Sequence, residues 1–414
     1  MTTLGGLRGV APVNFQPALP PRTDLTSRRK RAAATALLHG VGLYERLKSR
    51  LLPRVTPPSG DEFYRVPEDL EAVGPGEVLD SRSVAVRGFL RPVATGAWQL
   101  KFRSTDMTGA AASGVATLMI PRVPYNGPVR PLLSYQCAID ALGATSDPSY
   151  TLRHGDQIEL PFIKLALRRG WAVVTTDYNG PQHAFCAFPL VARFVLDGIR
   201  AAISFEPAGL DALTPIGLWG YSGGANATLF AVEEQAAYAP ELNIVGAAAG
   251  GASVDIASSP ELFEAGNLLS GVPFASLIGV SRGDPDVDLH SVLTPQGRAM
   301  VAAAADMTLE RLVGSFPFVR WSDFLTVPSV SEIPGLRLED GSLGHATPMT
   351  ALRLYQGVRD KYGPVADVDR LVERYQCEGV DVSYRRFRFG GHVAATIMGV
   401  PTSLRFLHER FGSA

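Results

Sequence analysis

A glycine-crowded serine between an apolar run and an alanine-rich run constrains this chain more than any other feature. Gly220, Tyr221, Ser222, Gly223 and Gly224 follow the apolar run and precede a long run of helix-forming residues. This G-x-S-x-G order is typical of a nucleophile elbow, in which a sharp strand-to-helix turn exposes the serine hydroxyl. Side chains in place of the first and last glycine would collide in that turn. The pattern therefore predicts a nucleophilic Ser222 beside a helix N-terminus, whose free N–H groups can stabilise an oxyanion.

A second G-x-S-x-G sequence, at residues 279–283, shows why the pattern needs its context. Glycine supplies 42 of the 414 residues, so chance matches are a real risk. Ser281 is followed by Asp284, Pro285 and Asp286, which indicate a loop that cannot begin a helix at once. Ser222 has an apolar strand before it and a helix after it, and is the better candidate.

The composition is that of a globular protein with a large core. Hydrophobic residues make up 46% of the chain and charged residues 19%, which suits an α/β domain with an insertion. The net charge is −1, so the overall charge gives no argument for nucleic acid or an anionic membrane as a partner. Cys137, Cys186 and Cys377 lack zinc spacing and are predicted to be small buried hydrophobes, with one disulfide left open.

Motifs for cofactors and metals are missing from the sequence. There is no G-x-x-x-x-G-K-[ST] loop and no dinucleotide fingerprint. Asp284, Asp286 and Asp288 alternate as at the start of a calcium loop, but Leu289 and Pro295 stand where that loop needs Gly and Glu. We therefore expect a solvated loop there, no metal site and no cofactor.

The first 60 residues are predicted to be an extension with a basic amphipathic helix. Basic residues at 28–31 precede an apolar stretch, and Leu43, Leu47 and Leu51 recur at helical spacing among further basic residues. Three interpretations stay open: a helix packed on the body of the protein, a helix bound to a membrane surface, and a twin-arginine signal. The sequence contains no run of about 18 apolar residues, so we expect no transmembrane helix. The localisation is left open between the cytoplasm and the cell envelope.

The rest of the chain alternates short apolar runs with helical patterns, which predicts a mostly parallel sheet flanked by helices. The expected parts are the extension at 1–60, a core at 61–250, a helical cap or lid at 251–345 and the rest of the core at 346–414. The predicted strands are Val84–Val93, Trp98–Arg103, Gly114–Ile120, Leu132–Cys137, Trp171–Asp177, Ile216–Tyr221, Ile244–Gly250, Ala351–Gln356 and Val382–Phe389. The predicted helices include Leu160–Arg169, Val191–Ala202, Pro260–Ser270, Pro273–Val280, Pro295–Ala304 and Leu309–Phe316.

A serine needs a histidine to take its proton and an acid to orient that histidine. In chains with this elbow the order is Ser, then Asp or Glu, then His. Among the histidines after Ser222, a glycine-rich turn following a predicted strand favours His392 over His290, His345 and His408. A histidine with a purely structural role in the turn is the alternative.

The acid is expected after the strand Ala351–Gln356. Asp360 lies in that loop, whereas the competitors Asp367 and Asp369 lie in a predicted helix. The alternative for Asp360 is a turn aspartate that binds its own backbone.

The oxyanion hole needs two donors. The first is the backbone N–H of Gly223. The second is predicted in the loop after Leu132–Cys137, where Asp140 can offer its backbone N–H or a protonated carboxyl. A loop aspartate with only local hydrogen bonds is the alternative.

Several segments around these residues resemble the secretory lipase family. The matching segments are 220–228, 238–247, 196–201 and 177–180, and the likeness extends from about Asp61 to the C-terminus. The resemblance implies an α/β-hydrolase fold, a triad of Ser222, Asp360 and His392, and oxyanion places for Asp140 and Gly223. It also implies a cap at 251–345 and cofactor-free hydrolysis of carboxylic esters, including acylglycerols.

The sequence thus predicts a serine ester hydrolase of the lipase or esterase type, acting on lipid-like or other small esters. An acyltransferase with the same triad, a peptidase and a catalytically silent lipid-binding relative stay open, as do contact with a membrane or lipid interface and the oligomeric state. Leu268, Leu269, Phe274, Leu277 and Ile278 are expected either to line an acyl tunnel or to form ordinary core.

Overall fold

The computed structural model describes residues 28–89, 91–93, 95–257, 263–264 and 266–413. The strands in this part of the chain are β1 (Val78–Ser83), β2 (Arg87–Gly88), β3 (Arg91–Pro92), β4 (Thr95–Thr105), β5 (Ala111–Pro121), β6 (Leu132–Gln136), β7 (Ala172–Thr176), β8 (Ile216–Tyr221), β9 (Ile244–Gly250), β10 (Leu352–Gly357) and β11 (Val382–Phe387). The α-helices are α1 (Arg28–Leu51), α2 (Pro148–His154), α3 (Leu160–Leu167), α4 (Phe188–Ser204), α5 (Gly223–Tyr238), α6 (Gly271–Gly283), α7 (Pro295–Ala304), α8 (Leu309–Ser315), α9 (Val365–Cys377) and α10 (His392–Gly412).

Nine of the described strands form one sheet, in the order β1-β4-β5-β7-β6-β8-β9-β10-β11. The pairs from β7 to β11 are parallel, and β1, β4 and β5 add antiparallel pairs at one side. β6, β7 and β8 are buried along their whole length, because helices cover both faces of the sheet. Leu132 packs into a core cluster with α4, α5 and α9, while the next residue, Leu133, packs into another cluster with α3 and α10. The predicted mostly parallel sheet flanked by helices is confirmed.

One strand predicted from the sequence is wrong. Instead of a strand over Val84–Val93, residues 87–88 and 91–92 form a short hairpin. Pro92 has no N–H to donate to a sheet, and Phe89 turns the chain with a φ of 58°. Val86 is buried in the cluster with α3, which explains the apolar pattern. The other predicted strands overlap β4 to β11.

A helical block stands between β9 and β10. The predicted helices Pro273–Val280, Pro295–Ala304 and Leu309–Phe316 correspond to α6, α7 and α8. The predicted helix Pro260–Ser270 is wrong for its described residues, 263–264 and 266–270, which form turns, because Gly266 has a φ of 52° and the Asn267 side chain accepts the N–H of Leu269. The apolar side chains of the block form one cluster together with Ala141, Leu142 and Phe185 of the sheet domain, and in it the ring centroid of Phe274 lies 4.7 Å from that of Trp321. At its end, the Glu233 carboxylate on α5 accepts a 2.7 Å hydrogen bond from the N–H of Gly344. The block thus shares its core with the sheet domain and is also tied to it by a hydrogen bond.

The basic N-terminal helix packs on the body of the protein, but not through its predicted apolar face. Ala34 is fully buried, and Lys48 forms a 2.6 Å ion pair with Asp156. Leu43, Leu47 and Leu51 remain 47–53% exposed. The prolines and the rest of the predicted extension before residue 28 lie outside the described residues. Within the described ranges, no helix combines the length and the apolar character needed to cross a bilayer.

The three cysteines are unpaired thiols in different surroundings. Cys137 is buried as predicted and Cys186 is partly buried. The prediction is wrong for Cys377, which is exposed at the last residue of α9. Two residues earlier Tyr375 points into the core, and a two-residue step in a helix leads to nearly the opposite side.

Candidate active site

Ser222 lies between β8 and α5, in a turn that crowds the backbone. Its φ of 56° and ψ of −124° are strained for a residue with a side chain. The Ser222 N–H donates to the carbonyl oxygen of Gly250 at 2.9 Å, which holds the turn against β9. A Cβ atom on Gly220 would overlap the carbonyl oxygen of Gly224, and one on Gly224 would overlap that of Gln136. Glycine is therefore required at both places, because backbone atoms fill the space of a side chain.

Ser222, His392 and Asp360 form a continuous hydrogen-bonded relay. The Nε2 atom of His392 lies 2.8 Å from Ser222 Oγ, and its Nδ1 atom lies 2.7 Å from Asp360 Oδ2. The other oxygen of Asp360 accepts hydrogen bonds from the N–H groups of Tyr362 at 2.9 Å and Gly363 at 3.2 Å. A carboxylate at Nδ1 favours the tautomer with the proton on that atom, which leaves the Nε2 lone pair facing the serine hydroxyl. The geometry is that of a base ready to take the hydroxyl proton.

The topology explains how residues so far apart in sequence meet. Ser222 follows β8, Asp360 follows β10 and His392 follows β11. These strands run parallel and lie near one another in the sheet, so their carboxyl ends share one edge. Tyr221 adds a further tie, since its hydroxyl donates to the carbonyl oxygen of His392 at 2.5 Å. Sequence reasoning treated Tyr221 only as part of the turn and missed this positioning contact.

The competing candidates have other partners. Asp367 forms a 2.7 Å ion pair with Arg370, and Asp369 forms a 2.9 Å ion pair with Arg386. Ser281 lies in the last turn of α6, where its hydroxyl donates to a carbonyl oxygen of its own helix. The remaining histidines of this comparison are His290 in a 3-10 turn, His345 beside the end of the helical block and the exposed His408 in α10. Over the described ranges, no group of three His, Cys, Asp or Glu side chains is arranged to hold a metal ion.

The carboxyl group of Asp140 lies directly against Gly223. A Cβ atom on Gly223 would overlap Asp140 Oδ1, and both residues line the same cavity as Ser222. Oδ1 is enclosed and has no hydrogen-bond partner within the described part of the chain. Burial raises the pKa of Asp140 to about 6, although the nearby His392 acts in the lowering direction. A carboxyl group so placed can carry a proton at mildly acidic pH and donate it to an oxygen beside Ser222.

Sequence reasoning also missed the side chains that hold the loop 137–140. The Tyr178 hydroxyl accepts a hydrogen bond from the Ile139 N–H at 3.0 Å and donates one to the Cys137 carbonyl oxygen at 2.6 Å. The Glu159 carboxylate accepts the Ala138 N–H at 2.7 Å, and burial raises the pKa of Glu159 to about 7. For Tyr178 a signal existed, because the segment 177–180 was among those that resemble the secretory lipases.

A cavity of about 380 Å³ opens beside Ser222. Of the five residues predicted to line a tunnel or to form core, Leu268 and Leu269 line this cavity. Leu277 lines a second, smaller cavity, and both cavities share Phe188 and Ile256 in their walls. The remaining two, Phe274 and Ile278, are buried in the core of the helical block. Both alternatives therefore hold for different members of the set: some line a cavity and the others are ordinary core residues.

The parallel sheet with helices on both faces and a serine turn at its carboxyl edge defines the protein as an α/β hydrolase. Within this class, the model of the secretory lipase family matches residues 148–414, more than half of the chain. The protein belongs to the secretory lipase family.

Individual relatives support this membership. The "Probable inactive lipase" of Mycobacterium tuberculosis is 36% identical, over 89% of this chain and 85% of its own length. Lipase A of Arthroderma benhamiae is 33% identical, over 86% of this chain and 80% of its own length. The crystal structure of Candida antarctica lipase A in its closed state superposes with a TM-score of 0.78 at 26% identity, covering 87% of this chain and 88% of that one. The relatives support lipase or esterase activity as a class, but the name of the first shows that membership alone does not establish activity.

Proposed function

We propose that the protein is a serine carboxylic-ester hydrolase that cleaves acylglycerols or other lipid-like esters through an acyl-enzyme on Ser222. The observation that carries the proposal is the unbroken relay: 2.8 Å from Ser222 Oγ to His392 Nε2 and 2.7 Å from His392 Nδ1 to Asp360 Oδ2. The strained backbone of Ser222 supports the same proposal, because strained residues that persist in folded proteins cluster at active sites.

In the first step, Ser222 Oγ attacks the ester carbonyl carbon while His392 Nε2 takes the hydroxyl proton. Asp360 keeps the imidazole oriented and stabilises its positive charge. The tetrahedral intermediate then expels the alcohol, which receives the proton from His392. The acyl group remains bonded to Ser222.

In the second step, water replaces the alcohol. His392 removes a proton from the water molecule, whose oxygen attacks the acyl carbon, and the second tetrahedral intermediate releases the carboxylic acid. Ser222 Oγ takes back its proton from His392, which restores the starting state.

The negative oxygen of both intermediates is stabilised by the Gly223 N–H and by Asp140. The unpartnered Oδ1 of Asp140 and its pKa of about 6 support a protonated carboxyl as the second donor. Removal of one such donor costs roughly 3–4 kcal/mol of transition-state stabilisation in other serine hydrolases.

The helical block at 251–345 acts as a cap over this site. Leu268, Leu269 and Val272 of the block line the Ser222 cavity, together with Phe188 from the sheet domain. An apolar wall of this kind binds acyl chains and excludes water from the reacting carbonyl. This lining favours lipid-like esters over peptides.

The second candidate is a catalytically silent lipid-binding protein. The name of the M. tuberculosis relative favours it, whereas the complete relay in this chain argues for an enzyme. An acyltransferase is a third candidate, in which an alcohol takes the place of water in the second step.

The experiment is organophosphate labelling combined with hydrolysis of p-nitrophenyl esters from acetyl to palmitoyl. We expect covalent labelling and turnover that are lost in Ser222→Ala and retained in Ser281→Ala, the serine of the second G-x-S-x-G sequence. Lipid binding by a folded protein without labelling or turnover would establish the silent protein instead. Added alcohol, with ester products measured against free acid, separates the transferase from the hydrolase.

A further inference from the structure

Large apolar side chains are exposed in the first turns of α10 and in the turn that precedes it. Phe389, Val393 and Ile397 are 79%, 78% and 68% exposed. Val393 and Ile397 are four residues apart in the helix and therefore share one face. Val358, in the loop that carries Asp360, is 43% exposed. We call Val358, Phe389, Val393 and Ile397 the α10 surface; clusters of this kind mark binding sites more often than isolated exposed leucines do.

This surface borders the catalytic relay. Val393 follows His392 directly, Phe389 precedes it by three residues, and Val358 precedes Asp360 by two. All of them follow the carboxyl ends of β10 and β11. A flat apolar phase that contacts these side chains would therefore lie beside His392 and Ser222.

The sequence around the α10 surface is rich in arginine, although Arg386 forms an ion pair with Asp369 at 2.9 Å. Residues 382–408 contain Arg385, Arg386, Arg388 and Arg405 but no Asp or Glu. In the loop that follows Val358, Arg359 and Lys361 are exposed, whereas the acid between them, Asp360, is buried. The overall net charge of −1 hides this local excess of positive charge.

We propose that the α10 surface, with Arg359 and Arg388 beside it, binds a lipid–water interface that contains anionic phospholipid. Apolar side chains enter the boundary between headgroups and acyl chains, and arginines gain from the negative surface potential. The cations decide the kind of surface, because apolar side chains alone bind neutral and anionic interfaces alike. The inference goes beyond ester hydrolysis, since binding requires none of the chemistry at Ser222.

The test measures flotation with vesicles of phosphatidylcholine, alone or mixed with phosphatidylglycerol, using the protein with Ser222→Ala so that lipid is not consumed. We expect binding to the mixed vesicles that weakens with added salt. Phe389→Ser with Ile397→Ser should lower the partition coefficient by about tenfold or more. Arg359→Gln with Arg388→Gln should lower it for mixed vesicles only.

The matched control is Leu213→Ser with Met349→Ser. These side chains are 74% and 79% exposed, but they precede β8 and β10 and so lie at the opposite edge of the sheet. We expect this variant to bind as the parent does. Each variant is also made with Ser222 intact. In these proteins, cleavage of a soluble acetyl ester and an unchanged melting temperature check that the variant is folded.

Three results would overturn the proposal. They are unchanged binding by the Phe389 and Ile397 variant, an equal loss in the control, and a loss confined to Leu47→Ser with Leu51→Ser, which would move the binding surface to α1. Equal binding to neutral and mixed vesicles would contradict the anionic preference. Because binding is measured without the Ser222 hydroxyl, a failure here is distinct from a failure of the proposed hydrolysis.

Discussion

The carboxyl group of Asp140 occupies the space that a side chain on residue 223 would need. A methyl group at this position would push Asp140 away from the place beside Ser222 where the proposed mechanism forms an oxyanion. We therefore predict that Gly223→Ala lowers kcat by about 100-fold or more. Because alanine suits the first turn of α5, the melting temperature should change little. Steady-state kinetics together with thermal unfolding test this, and near-normal kcat would exclude Asp140 from the oxyanion hole.

Asp140→Asn should change the pH dependence of catalysis. The pKa of Asp140 is raised to about 6, so its carboxyl can donate below about pH 6 and progressively loses that proton above it. An asparagine amide donates at every pH. The ratio of kcat/KM between wild type and Asp140→Asn should therefore fall as the pH rises from 5 to 8. A constant ratio would indicate that residue 140 donates through its backbone N–H, since the substitution leaves that group in place.

The same substitution should make stability less sensitive to pH. Burial raises the folded-state pKa of Asp140 above the ordinary value of 3.8, so the favourable contribution of its protonated carboxyl is complete below about pH 4 and is lost as the pH rises through about 6. Between pH 4 and pH 7, wild type should lose about 2–3 kcal/mol of unfolding free energy relative to Asp140→Asn. Urea unfolding at both pH values measures the difference, and parallel curves for the two proteins would contradict the buried carboxyl.

Asp360→Asn should nearly abolish turnover while the fold survives. The side-chain oxygen of asparagine can still accept the Tyr362 and Gly363 N–H groups, but its amide presents a donor to His392 Nδ1 and so favours the wrong tautomer. We expect kcat to fall by about 10⁴-fold. Asp367→Asn, at the competing aspartate paired with Arg370, is the control and should keep its activity. Reversed behaviour of the two variants would reassign the acid.

Tyr178→Phe tests the support of the loop 137–140. Loss of the hydroxyl leaves the Ile139 N–H and the Cys137 carbonyl oxygen without their partner, which should cost about 1–3 kcal/mol of stability. Because the loop carries Asp140, kcat should fall as well. Tyr238→Phe removes a comparable hydroxyl that donates to Asp197 at 2.8 Å and should lose stability without losing kcat. Equal kcat in the two variants would reduce Tyr178 to a structural role.

Much of the fold was predictable because its signals are local. The buried parallel strands appear as short apolar runs, and the helices between them have their own periodicity. The stretch Val84–Val93 was mistaken for one strand because its valines pack against the core, whereas its backbone turns at Phe89 into a short hairpin. For α1, the spacing of the leucines identified the helix correctly but not its buried face, because another side of the helix packs against the body of the protein.

Within the site, residues 220–224 were identifiable from local sequence because steric conflict between neighbouring backbone atoms demands glycine there. Asp360 was preferred to Asp367 because the sequence placed it in the loop after a strand. Its hydrogen bond to His392, the unpartnered carboxyl of Asp140 and the support from Tyr178 depend on distances between segments far apart in the chain. Such distances arise only when the strands pair and the helices pack, because burial, hydrogen bonding and the resulting pKa shifts come from neighbours in space. For the same reason, the exposed α10 surface became visible only once the core had formed around it.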